Sequence, residues 1–210
     1  MLTFSDLARR FGRHVVLTGQ SGTVAPGQLL TVLGRNGSGK STLLRILAGL
    51  LVADRGTVEY HEDGRPLSLG ERRRAVGYVA PDLSFYEDLS ALENLQFFAR
   101  LRGLPSTAAE EWLARVDLPP ERAAGALSSG MRQRLRFAFA LMARPRLLLL
   151  DEPVQNLDAV GATLVRTLLA EHLSGGGAGS GAGGGLAVVA NPEPLDLGRP
   201  AESGDHVLTL

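Results

Sequence analysis

The run Gly34-Arg35-Asn36-Gly37-Ser38-Gly39-Lys40-Ser41-Thr42 has the composition and spacing of a loop that holds the phosphates of a nucleotide. Its glycines let backbone N–H groups converge on phosphate oxygens without a Cβ in the way, and a helix opening at its end adds the partial positive charge of an N-terminus. Lys40 carries the amine that would reach the β- and γ-phosphates, and Ser41 offers a hydroxyl to Mg²⁺. That lysine is the only one in a chain with 22 basic residues. Farther on, Leu147-Leu148-Leu149-Leu150-Asp151-Glu152-Pro153 sets two acids at the end of an apolar run, where α/β sheets bind ligands. There Asp151 would hold the metal shell and Glu152 would act as general base toward an attacking water.

Elements able to position these groups are legible on either side. Leu29 to Leu33 reads as a buried strand running into the loop, and Leu43, Leu44, Leu47 and Leu50 recur at helical spacing between Thr42 and Leu51. Gly56 to Tyr60 and Val76 to Val79 read as further strands, in an N-terminal third of short strands punctuated by turns. A mainly helical block follows from Ser90 to Ala143. Ser90 and Glu93 form a capping box, and a second long helix starts near Ser129 with Leu135, Ala138, Phe139 and Met142 on one face. Pro145 stops that helix, Leu147 to Leu150 suits the middle of a parallel sheet, and Asp158 caps one more helix reaching about Leu173. Ser174 to Gly185, with eight glycines in twelve residues, is expected to be a flexible coil, and a strand resumes at Leu186 to Ala190. Strands alternating with helices make an α/β fold with a parallel sheet, interrupted by a helical insertion.

Composition narrows the function. The 210 residues suit one domain or one domain with an insertion, and 44% apolar with 21% charged residues is ordinary globular usage. Basic and acidic residues balance at 22 each with no basic patch, which argues against nucleic acid as a partner. The absence of cysteine excludes disulfides, zinc-thiolate sites and thiol catalysis. Asp6, Arg9, Arg10 and Arg13 leave no apolar stretch for a secretory signal. Arg136, Arg144, Pro145 and Arg146 interrupt the most apolar segment, which falls short of the ~20 residues that cross a bilayer. His14, His61, His172 and His206 are expected at the solvated surface.

Between the two motifs stands Leu127-Ser128-Ser129-Gly130-Met131, directly ahead of the second long helix. With Phe11-Gly12, the phosphate loop, Asp151-Glu152 and Asn156-Leu157-Asp158, it makes the whole chain resemble the ATP-binding cassette (ABC) family, whose signature is Leu-Ser-Gly-Gly-Gln. The resemblance implies a P-loop NTPase with a RecA-like parallel sheet core, an N-terminal antiparallel β subdomain and an inserted helical subdomain. On that plan residues 1–210 form one nucleotide-binding domain. Its ATP-binding core lies at about 1–80 and 145–210, its helical subdomain at about 82–143 and its glycine-rich loop at 174–185. ATP and Mg²⁺ are the implied ligands. Phe11 would stack on adenine, Gly34, Asn36, Gly37, Ser38, Gly39, Lys40, Ser41 and Thr42 would cradle the phosphates, and Ser41 and Asp151 would ligate the metal. Glu152 and Lys40 would be catalytic. Domains of this family pack head to tail in pairs, so Ser128 and Gly130 would offer a hydroxyl and a backbone N–H to the γ-phosphate held by the other subunit. Asp158 and Asn191 would complete the nucleotide contacts.

The function so implied is that of a cytoplasmic ATPase subunit, peripheral on the cell membrane, which energises a separate integral permease together with a second ABC subunit, identical or not. Leu83, Phe85, Tyr86 and Leu89 either touch that permease or pack beneath the helical block. Thr42 to Leu50 and Leu89 to Leu95 look like the small haem-exporter type from cytochrome c maturation. Departures from the family pattern point to slow or partner-dependent turnover. Ser129 and Met131 replace a glycine and a glutamine of the signature, and Pro81 takes the place of the Q-loop glutamine with Asp82 beside it. Asn191 stands where the family has a histidine; its amide can donate a hydrogen bond but cannot shuttle a proton. The alternative is a hydrolysis-impaired ABC protein whose ATP-driven dimerisation is regulatory. DNA-repair and translation members carry coiled coils or a second cassette, and a small-molecule kinase would have no use for the Ser128 segment.

Overall fold

Strands buried from both sides need apolar residues on both faces, and four such runs lie in this chain. The computed structural model describes residues 1–175, 184–197 and 204–210. Its strands are β1 (Leu2–Phe11), β2 (His14–Val24), β3 (Leu29–Leu33), β4 (Arg55–Glu62), β5 (Arg65–Pro66), β6 (Val76–Val79), β7 (Leu147–Asp151), β8 (Leu186–Asn191) and β9 (His206–Thr209). Its helices are α1 (Lys40–Leu47), α2 (Leu69–Ala75), α3 (Ala91–Leu101), α4 (Thr107–Arg115), α5 (Ser129–Met142) and α6 (Ala159–Ser174), with a 3₁₀ turn at Ala124–Ala126.

The parallel sheet has the order β6-β7-β8-β3-β9, and an antiparallel sheet of order β2-β1-β4-β5 packs at the N-terminal side. Side-chain alternation divides the core in two. Leu148, Leu150, Ala187 and Val189 face the helices α3 to α6. Leu147, Leu149, Val188 and Val32 face α1 and the antiparallel sheet. Each buried leucine of β7 contributes roughly 1.5–3 kcal/mol, so these few residues fix the sheet on which the site is built.

The strands and helices around the phosphate loop, the capping box at Ser90–Glu93 and the Asp158 cap of α6 form as the sequence predicts. Four features differ. The N-terminal third holds two long strands, β1 and β2, in place of short ones. Helix α1 stops at Leu47, short of Leu51, because Gly49 turns left-handed at φ 74°. Helix α2 was not foreseen; it is short, buries no residue and is started by a Ser68–Glu71 capping box. His172 is buried, at 6% exposure, with Nε2 at 3.2 Å from the Leu186 carbonyl, and burial holds its pKa below the usual histidine value. It lies on the apolar face of α6 one turn after Leu168 and Leu169, where a ring that finds one partner is tolerated. His61 is half-buried as well, while His14 and His206 are exposed as expected. Most of the glycine-rich stretch expected as coil, 176–183, lies outside the described residues. Among those described, no helix is long and apolar enough to cross a membrane.

Candidate nucleotide-binding site

The phosphate loop leaves the C-terminal end of β3 and turns directly into α1. Gly37 and Gly39 have φ of 84° and 104°, values that strain any residue with a side chain, and a Cβ on Gly39 would lie 2.9 Å from the Val16 carbonyl. A Cβ on Gly34 would collide with the Ser38 hydroxyl. That hydroxyl is buried with no hydrogen-bond partner, an orphan that a phosphate oxygen would satisfy. Gly39 caps α1 without a side chain, so the N–H groups of the first turn remain available to an anion. Lys40 is 5% exposed, and its Nζ donates to the carbonyls of Gly34 (2.7 Å) and Arg35 (3.1 Å), which curl the loop around the amine and leave one donor.

The carboxylates come from the neighbouring part of the same sheet edge. Asp151 pairs with Ala190 and Leu33 with Asn191, so β8 stands between the phosphate loop and the two acids. Asp151 is 3% exposed. Burial pushes its carboxyl above the usual range and Glu152 adds to the rise, while the Ser41 hydroxyl, Arg45 and Lys40 pull it down. A buried acid beside a hydroxyl and short of counter-charge suits a divalent cation that keeps most of its ligands from phosphate and water. No cluster of three or more histidines and carboxylates exists among the described residues, so no all-protein cage competes with this arrangement. Tyr78, whose pKa burial pushes up to about 12, stays a neutral phenol near Asp151. A 280 Å³ cavity is lined by Val16, Asn36, Gly37, Gly39, Lys40, Ser41, Thr42 and Glu152, which joins the loop and the acid in one space. Glu152 has φ 49°, a left-handed conformation unusual outside glycine, held in part by a 2.9 Å bond from its N–H to the Ala190 carbonyl.

Other expected site residues lie around this space but do not line it. Ser128 caps α5 by accepting from the Met131 N–H at 3.2 Å, and its hydroxyl hydrogen remains free for a further acceptor. Gly130 abuts the Asn156-Leu157-Asp158 turn: a Cβ there would come within 3.2 Å of the Asn156 carbonyl. Asp158 accepts from the Gly161 N–H at 2.8 Å and so is committed to starting α6. Phe11 is 49% exposed at the β1–β2 turn, with the Arg9 guanidinium 4.8 Å from its ring centroid. Asn191 stands level with the acids, yet its amide donates at 2.8 Å to the Glu193 carbonyl in its own turn. Asp82, the polar neighbour of Pro81, pairs at 2.6 Å with Arg45 of α1.

Sequence reasoning missed Val16 as a wall of the cavity and the Arg45–Asp82 pair. Neither carries a motif; both depend on how β2 and the segment after β6 fold back over α1. It also left two readings open for residues 83–89. Phe85 packs inward in edge contacts with Phe98 (6.4 Å) and Phe139 (6.1 Å), whereas Tyr86, 54% exposed, faces Phe97 at 5.4 Å on the surface.

Residues 17–155 match the ABC transporter family. The cytochrome c biogenesis ATP-binding export protein CcmA of Cupriavidus necator is 42% identical over 183 residues, which cover 84% of this chain and 80% of the relative. Nod factor export ATP-binding protein I of Ralstonia nicotianae is 34% identical across 84% of this chain and 57% of its own length. Among solved structures, a dimeric bacterial ABC transporter cassette superposes with a TM-score of 0.79 over 100% of this chain and 94% of that one, at 23% identity, a likeness of fold. That fold is a RecA-like P-loop core carrying an antiparallel β subdomain and added helices. With its phosphate loop, signature and paired acids in that frame, this chain belongs to the ABC transporter family as an ATP-binding and ATP-hydrolysing subunit.

Proposed function

We propose that the chain hydrolyses Mg-ATP at a site completed by a second ABC subunit and thereby drives an integral membrane permease of export type. The observation that carries this is the single cavity shared by Lys40, Ser41 and Glu152, with buried Asp151 alongside. Lys40 and the α1 N-terminus hold the phosphate tail, while Ser41 and Asp151 position Mg²⁺. The metal, when bound, supplies charge neutralisation to the β- and γ-phosphate oxygens. Glu152, which lines the same cavity as Lys40 and Ser41, orients and deprotonates the attacking water.

Ser128 and Gly130 would cover the nucleotide of the opposite subunit, with the free hydroxyl hydrogen of Ser128 and the α5 N-terminus directed at its γ-phosphate. Asp158 fixes the turn on which this contact rests, and Phe11 supplies an exposed ring for adenine. Residues 1–80 and 145–210 act as the ATP-binding core and 82–143 as the helical subdomain. The exposed Tyr86–Phe97 pair is the part of the 81–90 segment available to a permease on the cytoplasmic side of the membrane, while Phe85 anchors it from beneath. The export function named for the Cupriavidus relative supports a haem-exporter type of system from cytochrome c maturation.

A second reading, ATP-driven dimerisation with little turnover, is favoured by Asn191, whose amide cannot relay a proton and is engaged in its own turn. Sedimentation separates the two. Glu152→Gln in Mg-ATP is expected to sediment as a dimer and in Mg-ADP as a monomer, while the unaltered chain releases phosphate and cycles between both. A chain that stays dimeric in Mg-ATP without releasing phosphate supports the second reading, and one that never dimerises contradicts both.

A further inference from the structure

On the hydrolysis reading above, we propose that Arg136 and Gln133 form a hydrogen-bonded relay that sets the backbone at Glu152 according to the position of residues 81–83. Arg136, on α5, spreads its guanidinium in three directions. Nη2 donates to the Pro81 carbonyl at 2.6 Å, Nε to the Leu83 carbonyl at 2.9 Å and Nη1 to the Gln133 side-chain oxygen at 3.0 Å. Gln133, one turn earlier and 5% exposed, passes the connection on: its Nε2 donates at 3.0 Å to the Pro153 carbonyl, next to Glu152. An amide can do this because one end accepts while the other donates. Two side chains therefore join the segment after β6 to the residue that follows the general base. Pro81 has no polar side chain, so its tie to the site runs through its backbone carbonyl, which the rigid fork of an arginine is shaped to collect.

The need for such a tie is visible at Glu152. Its φ of 49° persists only while neighbours hold it. The Ala190 carbonyl holds its N–H, the Gln155 N–H donates to its carbonyl at 3.1 Å, and Gln133 pins the next peptide. Pro81, Gln133, Arg136 and Glu152 all border one 340 Å³ cavity. With open space between these parts, the hydrogen bonds rather than packing fix their separation. A shift of residues 81–83, the stretch that leads to the exposed Tyr86, is thus transmitted to the carboxylate that must align water.

Gln133→Glu tests the last link, since it keeps an acceptor for Arg136 and removes the donor to Pro153. Phosphate release and Mg-ATP calorimetry on the full chain are expected to show kcat reduced on the order of tenfold, with Kd within about twofold. Arg136→Lys, which lacks the fork, should lower kcat by less, and combining it with Gln133→Glu should cost no more than the worse single change because both cut one path. Unchanged kcat in Gln133→Glu overturns the relay. So does a loss of affinity parallel to the loss of kcat, or full additivity, each of which marks a merely structural role. If the unaltered chain fails to bind Mg-ATP, or Glu152→Gln hydrolyses normally, the hydrolysis reading itself fails and the relay has nothing to govern.

Discussion

The groups at the C-terminal edge of the parallel sheet fall into two unlike halves that alternate along it. At the ends of β3 and β7, Lys40, Ser41 and Glu152, proposed as the amine, hydroxyl and general base that phosphate and magnesium require, line one cavity, with buried Asp151 beside Ser41. At the ends of β6 and β8, Pro81 and Asn191 stand where the ABC resemblance implies a glutamine and a histidine, and the first is reached through its backbone. Groups that bind a phosphate tail are set by local chain geometry, and one loop with one strand end suffices to supply them. Groups that time hydrolysis must sense other parts of the assembly, and on the proposed function these are the ones that differ. On that reading, binding and turnover are separable in this chain.

Glu152→Gln gives the largest effect on turnover: phosphate release should fall 10²- to 10⁴-fold on the order of a lost general base, with Mg-ATP affinity retained. A matching loss of affinity would merge the two halves. Asn191→His sharpens the contrast from the other side, since an imidazole one residue beyond Ala190, the partner of Asp151, should raise kcat by about tenfold without altering Kd. No gain would mean that the β8 half is not what slows the site.

Asp151→Asn is expected to raise the melting temperature of the nucleotide-free chain at neutral pH and to abolish stabilisation by Mg²⁺. The sign follows from burial, which raises the folded pKa of this acid, so the folded chain holds its proton more tightly than the unfolded one. Stability thus falls as pH rises from below the unfolded value of about 3.9 through the folded one, and removing the charge removes that cost. The smallest effect is that of Ser90→Ala, which deletes the acceptor for the Glu93 N–H at 3.1 Å. It should cost about 1 kcal/mol, roughly 2–4 °C in a chain of this size, and leave nucleotide affinity unchanged. Separately, the Ser90 backbone N–H, which the substitution keeps, and the Ser90 hydroxyl hold the Glu93 carboxyl below its usual range, so the bond to that carboxylate helps above the unfolded pKa and is lost as acid titrates the folded state.

What the sequence revealed and what it hid divides along similar lines. The phosphate loop, Asp151-Glu152, the caps at Ser90 and Asp158 and the apolar runs of β7 and β8 were legible because a few adjacent residues determine each. The long strands β1 and β2 were not, since their register shifts three times between Phe4 and Arg10 and Asp6 turns left-handed, which breaks the alternation of buried Leu2, Phe4 and Leu7. Helix α2 buries nothing and so leaves no apolar period, although its Ser68–Glu71 box was there to be seen. His172 sits at helical spacing from Leu168 and Leu169, a signal that could have marked it as buried. Arg136 gave no such signal: its partners are mostly backbone carbonyls more than fifty positions away, and a carbonyl is the same in every residue type.

Titration calorimetry of Mg-ATP into the unaltered chain and into Lys40→Met tests the central claim most directly. Saturable one-site binding to the first, weakened by at least about a hundredfold in the second while it still unfolds cooperatively without nucleotide, is the result that a buried amine aimed at a phosphate tail requires. Equal binding by both proteins, or none by either, would contradict it.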